Sequence, residues 1–219
     1  MSEGAVVDER RETNHLAGVI LAGGRSRRMG GTNKALLSLS GKPLLLHVID
    51  RVASQVEELL LSVETSSRSF DDFGLPQVAD ARPDGGPLGG LLAAMQRMDP
   101  VRNWMLLVPC DAPLLPINLA EILVQSAVAA GFPAAVASYE GEIQPTFSIW
   151  NREILPLLEQ AVSVEGMAGF KQFLGRVEMA QEPWPRQTPS PFFNVNDQAT
   201  LQEAERLLLK TKEDSICSA

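Results

Sequence analysis

The sequence predicts a single three-layer α/β domain built on a mostly parallel, twisted sheet. Apolar strand-like runs alternate with helix-like runs along the body, which is the pattern of a layered parallel sheet. A chain of 219 residues, 45% of them hydrophobic, can bury one sizeable core but would be cramped as two complete domains. Polar motifs follow the ends of several apolar runs, where open α/β sheets take their ligands.

The elements follow in order. Residues 1–14 are polar and without hydrophobic periodicity, which predicts a loose tail before a domain over 15–210 and a short C-terminal tail at 211–219. Leu16–Leu21 is a buried strand. Pro43 opens a helix to about Gln55, with Leu46, Val48, Ile49 and Val52 on its apolar face. Leu59–Val63 and Gln77–Ala79 are strands two and three, and Leu88–Met98 is helical. Trp104–Val108 is a central strand stopped by Pro109. A helix from about Ile117 ends at Gly131, with Pro133 just beyond. Ala134–Tyr139 and Ile143–Trp150 read as strands paired across Glu140-Gly141. Helices near Arg152–Val162 and Glu165–Leu174 precede a proline-rich loop around residues 183–191. A last strand ends at Val195, and Asp197 caps a final helix to about Leu209.

Composition narrows the function. The formal charge of −8 argues against nucleic-acid binding, which calls for a broad basic stripe. Two cysteines, Cys110 and Cys217, suit a reducing compartment better than a disulfide framework. No signal peptide and no run of membrane length is visible, so a cytoplasmic location is expected.

Against that acidic background, the segment from Leu16 to Ile49 contains no Asp or Glu. Within it, the loop after the first strand holds Gly23, Gly24, Gly30 and Gly31, threaded by Arg25, Arg27, Arg28 and Lys34. Glycines let backbone N–H groups approach a ligand closely, and the basic side chains neutralise it. Such a loop suits a triphosphate. It is not a Walker A loop, because Met29 stands where the second glycine is needed when Gly24 is first. Nor is it a dinucleotide fingerprint: counted from Gly23, Arg25 and Arg28 fall on the remaining glycine positions.

Leu21 to Gly30, followed by Lys34 to Leu37 and by Gly41-Lys42-Pro43-Leu44, matches the nucleotidyltransferase signature L-A-G-G-x-S-x-R-M-G and its sequel. The chain resembles the molybdenum cofactor guanylyltransferase family, which attaches GMP to molybdopterin. The resemblance continues through Gly86-Pro87-Leu88-Gly89-Gly90, Pro109-Cys110-Asp111, Gln144-Pro145-Thr146 and Phe193-Asn194-Val195-Asn196, covering roughly residues 15–210. It implies a Rossmann-like nucleotidyltransferase fold. It implies GTP and molybdopterin, or the molybdenum cofactor, as substrates, and Mg²⁺ as the metal. Recipient molybdoenzymes or their chaperones are the partners it suggests for the product.

Residue by residue, the resemblance makes Arg28, Lys34 and Asp111 catalytic. Leu21, Ala22, Gly23, Gly24, Arg25, Lys34, Asp80 and Asp111 become nucleotide ligands, with Asp111 holding the metal. Asn194 and Asn196 go to molybdopterin; on a strand their side chains would share one face. Gln144 replaces the family's histidine, a departure on the pterin side. Leu-Ala-Gly-Gly at 21–24, where the cytidylyl sister carries Leu-Ala-Ala-Gly, implies GTP over CTP. The residues themselves also allow milder roles: Asp111 and Asp80 as turn or capping aspartates, Asn196 as a helix cap, Arg25 as solvated. Cys110 is expected to pack rather than react. The rival functions are the cytidylyl sister, a sugar-phosphate nucleotidyltransferase and a non-catalytic nucleotide-binding protein that delivers cofactor.

Overall fold

The computed structural model describes residues 15–23, 33–80 and 85–217. The tail at 1–14, the end of the glycine loop with Gly24, Arg25 and Arg28, and Asp84 lie outside the described residues. β1 (Leu16–Leu21) forms where the sequence predicts it, because all six residues belong to one apolar run. A hairpin follows that the sequence did not suggest: β2 (Ser38–Leu39) and β3 (Lys42–Pro43) are joined by Ser40 and Gly41, at φ 52° and 81°. Two successive positive φ values make the tight turn whose twist suits paired strands. Helix α1 (Leu44–Val52) then buries Leu44, Leu45, Val48 and Val52.

β4 (Glu58–Val63), β5 (Gln77–Ala79), α2 (Gly86–Arg97), β6 (Trp104–Pro109) and α3 (Leu119–Ala130) complete the parallel half. Gly131, at φ 69°, ends α3 as expected. β7 (Ala134–Tyr139) and β8 (Glu142–Asn151) turn through Glu140-Gly141, again with both φ values positive. The helix expected over Arg152–Val162 forms as one continuous winding, a 3₁₀ turn at Arg152–Ile154, then α4 (Leu155–Glu159), then a π-helical turn at Gln160–Val164. The one expected over Glu165–Leu174 is shorter, with α5 at Phe170–Phe173. Gly166 at φ 73° prevents a continuous helix from 165 onward.

β9 (Ala180–Pro183) is a strand that the sequence did not reveal, and it pairs with β7. The expected strand ending at Val195 does not form. Residues 191–197 are irregular, Pro191 has no N–H to give, and the Val195 N–H donates to the Asp111 carbonyl at 2.8 Å instead of joining a ladder. Helix α6 (Gln198–Cys217) runs past Leu209, so residues 211–217 extend the helix.

The seven-stranded sheet has the order β5-β4-β1-β6-β8-β7-β9, and β8 alone runs against its neighbours. Val19 on β1 lies opposite Leu60 on one side and Leu107 on the other. Side chains alternate between two cores. Ile20, Leu61, Leu106 and Val108 pack with Leu45 and Val48 of α1 and Leu123 of α3. Val19, Leu60 and Leu107 pack with Leu91, Leu92 and Met95 of α2 and with Phe170 and Phe173. A small third cluster of Leu39, Leu44, Val195, Leu201 and Ala204 fastens the hairpin to α6 and to the loop before it.

The parallel strands finish on one edge. Backbone pairing carries on past their ends: Ala22 N–H donates to Ser62 O at 2.8 Å, Cys110 N–H to Leu21 O at 3.1 Å, and Asp80 N–H to Val63 O at 3.2 Å. The first loop, Asp80 and Asp111 are thereby held at fixed spacing along that edge.

Candidate active site

Lys34 starts a short helical turn, Lys34–Leu36, capped by Asn33, whose Oδ1 accepts from Ala35 N–H at 3.0 Å. From there its ammonium forms an ion pair with Asp111 Oδ2 and donates to Asn196 Oδ1 at 2.7 Å. The Lys34 and Asp111 side chains are only 16% and 17% exposed. Asp111 Oδ1 is buried and has no hydrogen-bond partner among the described residues. Three positions distant in sequence thus meet at one cation.

The two asparagines part company here. With no strand to alternate along, Asn196 turns to Lys34, whereas the Asn194 Oδ1 is buried without a partner among the described residues. Asn196 is therefore not placed by alternation beside Asn194, and it does not cap α6. The cap is Asp197, whose Oδ1 accepts from Thr200 N–H at 2.8 Å while Thr200 Oγ1 accepts from Asp197 N–H at 2.9 Å. These bonds from Thr200 hold the Asp197 carboxyl below its ordinary pKa.

Asp80 ends β5 against the start of α2. Burial, then the neighbouring Glu64 charge, push its pKa up to about 6, and a hydrogen bond from Ser62 offsets part of the rise. Its Oδ1 has no partner among the described residues. Ser62, itself buried, is the one polar residue in the Leu59–Val63 run, a signal that the sequence analysis passed over. The helix reaches this corner because of its glycines. A Cβ on Gly90 would lie 2.4 Å from Ser62 Oγ, and one on Gly89 would face the Asp80 carboxyl at 3.6 Å.

Beside Asp80, a cleft of about 290 Å³ opens between Ala22 and Gly23 after β1, Val63 to Thr65 after β4, and Phe70. That is close to the roughly 300 Å³ at which small-ligand pockets begin, enough for a planar heterocycle. A Cβ on Gly23 would press on the Glu64 backbone nitrogen at 3.2 Å, so glycine lets the first loop lie against the end of β4 and shape this wall. Phe70 and Glu64 were not among the expected site residues; both lie in a segment with no motif.

Leu21 and Ala22 stand at the sheet edge with their backbone groups engaged as described. Gln144 on β8 donates to Glu142 O at 3.3 Å. The Cys110 thiol is buried, and its pKa is pushed up to about 12 by burial and by Asp111, so it stays protonated and packs. Among the described residues no group of three or more His, Cys, Asp or Glu could hold a metal ion. Asp111 is a single carboxylate, which suits an ion that keeps waters and takes its other ligands from phosphates.

Residues 18–181 match the MobA-like NTP transferase domain. The chain belongs to this family. Its similarity to named relatives spans nearly the whole length of both partners. It is 38% identical to the molybdenum cofactor guanylyltransferase of Rhodopseudomonas palustris (strain HaA2), over 88% of this chain and 92% of the relative. It is 34% identical to that of Bradyrhizobium sp. (strain ORS 278), over 93% and 98%. The molybdopterin-guanine dinucleotide biosynthesis protein A of Archaeoglobus fulgidus superposes with a TM-score of 0.73 at 21% identity, over 89% of this chain and 99% of that one. The CMP:2-keto-3-deoxy-manno-octonic acid synthetase superposes at 0.65 and 16% identity, over 90% and 98%. The chain thus shares its fold with that synthetase. Among the described residues no helix is long and apolar enough to cross a membrane.

Proposed function

We propose that the chain is a molybdenum cofactor guanylyltransferase. It moves GMP from GTP to the terminal phosphate of molybdopterin and releases pyrophosphate. The carrying observation is the Lys34–Asp111 pair, with Asn33 and Leu36 from the same short segment as Lys34 lining a base-sized cleft, in a chain 38% identical over nearly its full length to an enzyme of that name.

The nucleobase would enter the cleft between Gly23 and Phe70, with the triphosphate reaching Lys34. An oxygen of the molybdopterin phosphate attacks the α-phosphorus in line; the bond to the bridging oxygen breaks, and pyrophosphate takes the electron pair. No protein nucleophile is needed, since a phosphate monoester is largely dianionic at neutral pH. Lys34, with Arg28 and Arg25 in the glycine loop, would neutralise charge on the phosphates. Asp80 faces the nucleotide side. Asn194, whose amide oxygen has no partner among the described residues, is the better candidate of the two asparagines for the pterin. Asp111, one of whose oxygens is buried without a partner among the described residues, fits a divalent metal, Mg²⁺ by the hard carboxylate oxygens. When bound, that ion would polarise the α-phosphate. The reaction belongs in the cytoplasm, where GTP is available, and its product would pass to molybdoenzymes or their chaperones.

The test is pyrophosphate release with molybdopterin as acceptor, comparing kcat/KM for GTP and CTP. Base groups left unpaired in the wrong complex cost about 1–3 kcal/mol each, so GTP should lead by on the order of 10²-fold. A ratio at or below one rejects the guanylyl assignment. No pyrophosphate with any nucleotide supports a delivery protein instead.

A further inference from the structure

Lys34 occupies one of the two oxygens through which Asp111 could hold a metal. One carboxylate oxygen is in contact with the ammonium, the other is buried without a partner among the described residues, and the two side chains are mostly shielded from water. The same ammonium donates to Asn196 Oδ1 at 2.7 Å. A divalent ion placed on Asp111 in this arrangement would lie beside a fixed positive charge in a poorly screened site, where like charges repel far more than in water.

We propose that Lys34 is the resident cation of Asp111 and makes metal binding conditional on nucleotide. This rests on Asp111 being the metal seat. A triphosphate offers the ammonium several anionic oxygens and draws it away from the carboxylate. Asp111 then presents a full charge to the metal, whose remaining ligands arrive with the same phosphates. Asn196 is a positioning residue: it keeps Lys34 on Asp111 until the phosphates compete for it. Because coupling is reciprocal, the metal tightens nucleotide by the same factor that nucleotide tightens metal. Val195, bonded to the Asp111 carbonyl at 2.8 Å, links the segment carrying Asn196 to the same seat.

The experiment measures Mn²⁺ binding to the full chain by electron paramagnetic resonance, with and without the α,β-methylene analogue of GTP, which cannot be transferred. The wild type should bind Mn²⁺ about tenfold tighter or more with the analogue, inside the usual range of coupling between sites. Without nucleotide, Lys34→Met should gain affinity of the same order, and Asp111→Asn introduced into that variant should erase the gain. Asn196→Ala should give a smaller gain in the wild type and none once Lys34 is methionine, which a merely structural role would not produce. Equal affinity of the wild type with and without analogue overturns the proposal, and that measurement needs no variant. So does a Lys34→Met affinity within about twofold of wild type, or a gain that survives Asp111→Asn. If GTP-dependent pyrophosphate release is normal while Lys34→Met gains nothing, the coupling fails and the guanylyltransferase assignment stands; without that release, the assignment itself fails.

Discussion

The backbone N–H of Val195 donates to the carbonyl oxygen of Asp111 at 2.8 Å, tying the loop before α6 to the end of β6. With the Val195 side chain buried among Leu39, Leu44 and Leu201, this bond makes the loop, the hairpin and the central strand one unit around Lys34.

Lys34→Ala should damage both turnover and stability. Losing a charge-assisted phosphate contact in the transition state costs roughly 2–4 kcal/mol, or about 30- to 1000-fold in kcat/KM. The melting temperature should fall as well, because the side chain is only 16% exposed and its loss leaves the shielded Asp111 carboxylate without its ion pair. Wild-type kcat/KM for GTP would remove Lys34 from the phosphate site.

Asp80 gives a pH signature opposite to that of most carboxylates. Its folded-state pKa of about 6 lies above the roughly 3.9 of an unfolded aspartate, so the native state holds more protons between those values. Its contribution to stability therefore falls as pH rises from about 4 to 6 and stays low above. Asp80→Asn, which copies the protonated form, should melt at or above the wild type at pH 7–8, with the two converging near pH 4. A uniform loss at every pH would mean that hydrogen-bond geometry, not charge, dominates there.

Gly90→Ala places a methyl 2.4 Å from Ser62 Oγ and 2.8 Å from a Leu21 methyl. Overpacking of this kind costs about 1–3 kcal/mol. Ser62→Ala vacates the nearer clash, so the double variant should recover part of the loss and show non-additivity of about 0.5 kcal/mol or more. Strictly additive denaturation midpoints would place the strain elsewhere.

The parallel half was legible because Leu16–Leu21, Leu59–Val63 and Trp104–Val108 are bounded apolar runs, and a strand end is where a motif becomes a site. Lys34 and Asp111 each follow such a run, and the structure brings them into an ion pair that neither motif shows. Period-two reasoning failed at Asn194 and Asn196, since two asparagines either side of a valine carry no sign of whether the valine pairs in a sheet or plugs a side cluster. β9 was hidden because Ala180-Gln181-Glu182-Pro183 lacks apolar alternation and is held by pairing with β7. The helix expected from Glu165 ignored the left-handed backbone that Gly166 adopts. Ser62, Glu64 and Phe70 matter only through neighbours brought in from other segments, which no local pattern shows.

Lys34 lies near the beginning of the chain, and its two partners come 77 and 162 positions later. During synthesis the lysine therefore leaves the ribosome long before the residues that receive it. Such long-range closure is slow and comes late in assembly. A nascent or prematurely terminated chain that stops short of Asn196 can still lay down β1, β4 and β6, yet it carries an unclosed catalytic corner. Synthesis through Asn196 is thus what turns a nucleotide-shaped scaffold into a full site.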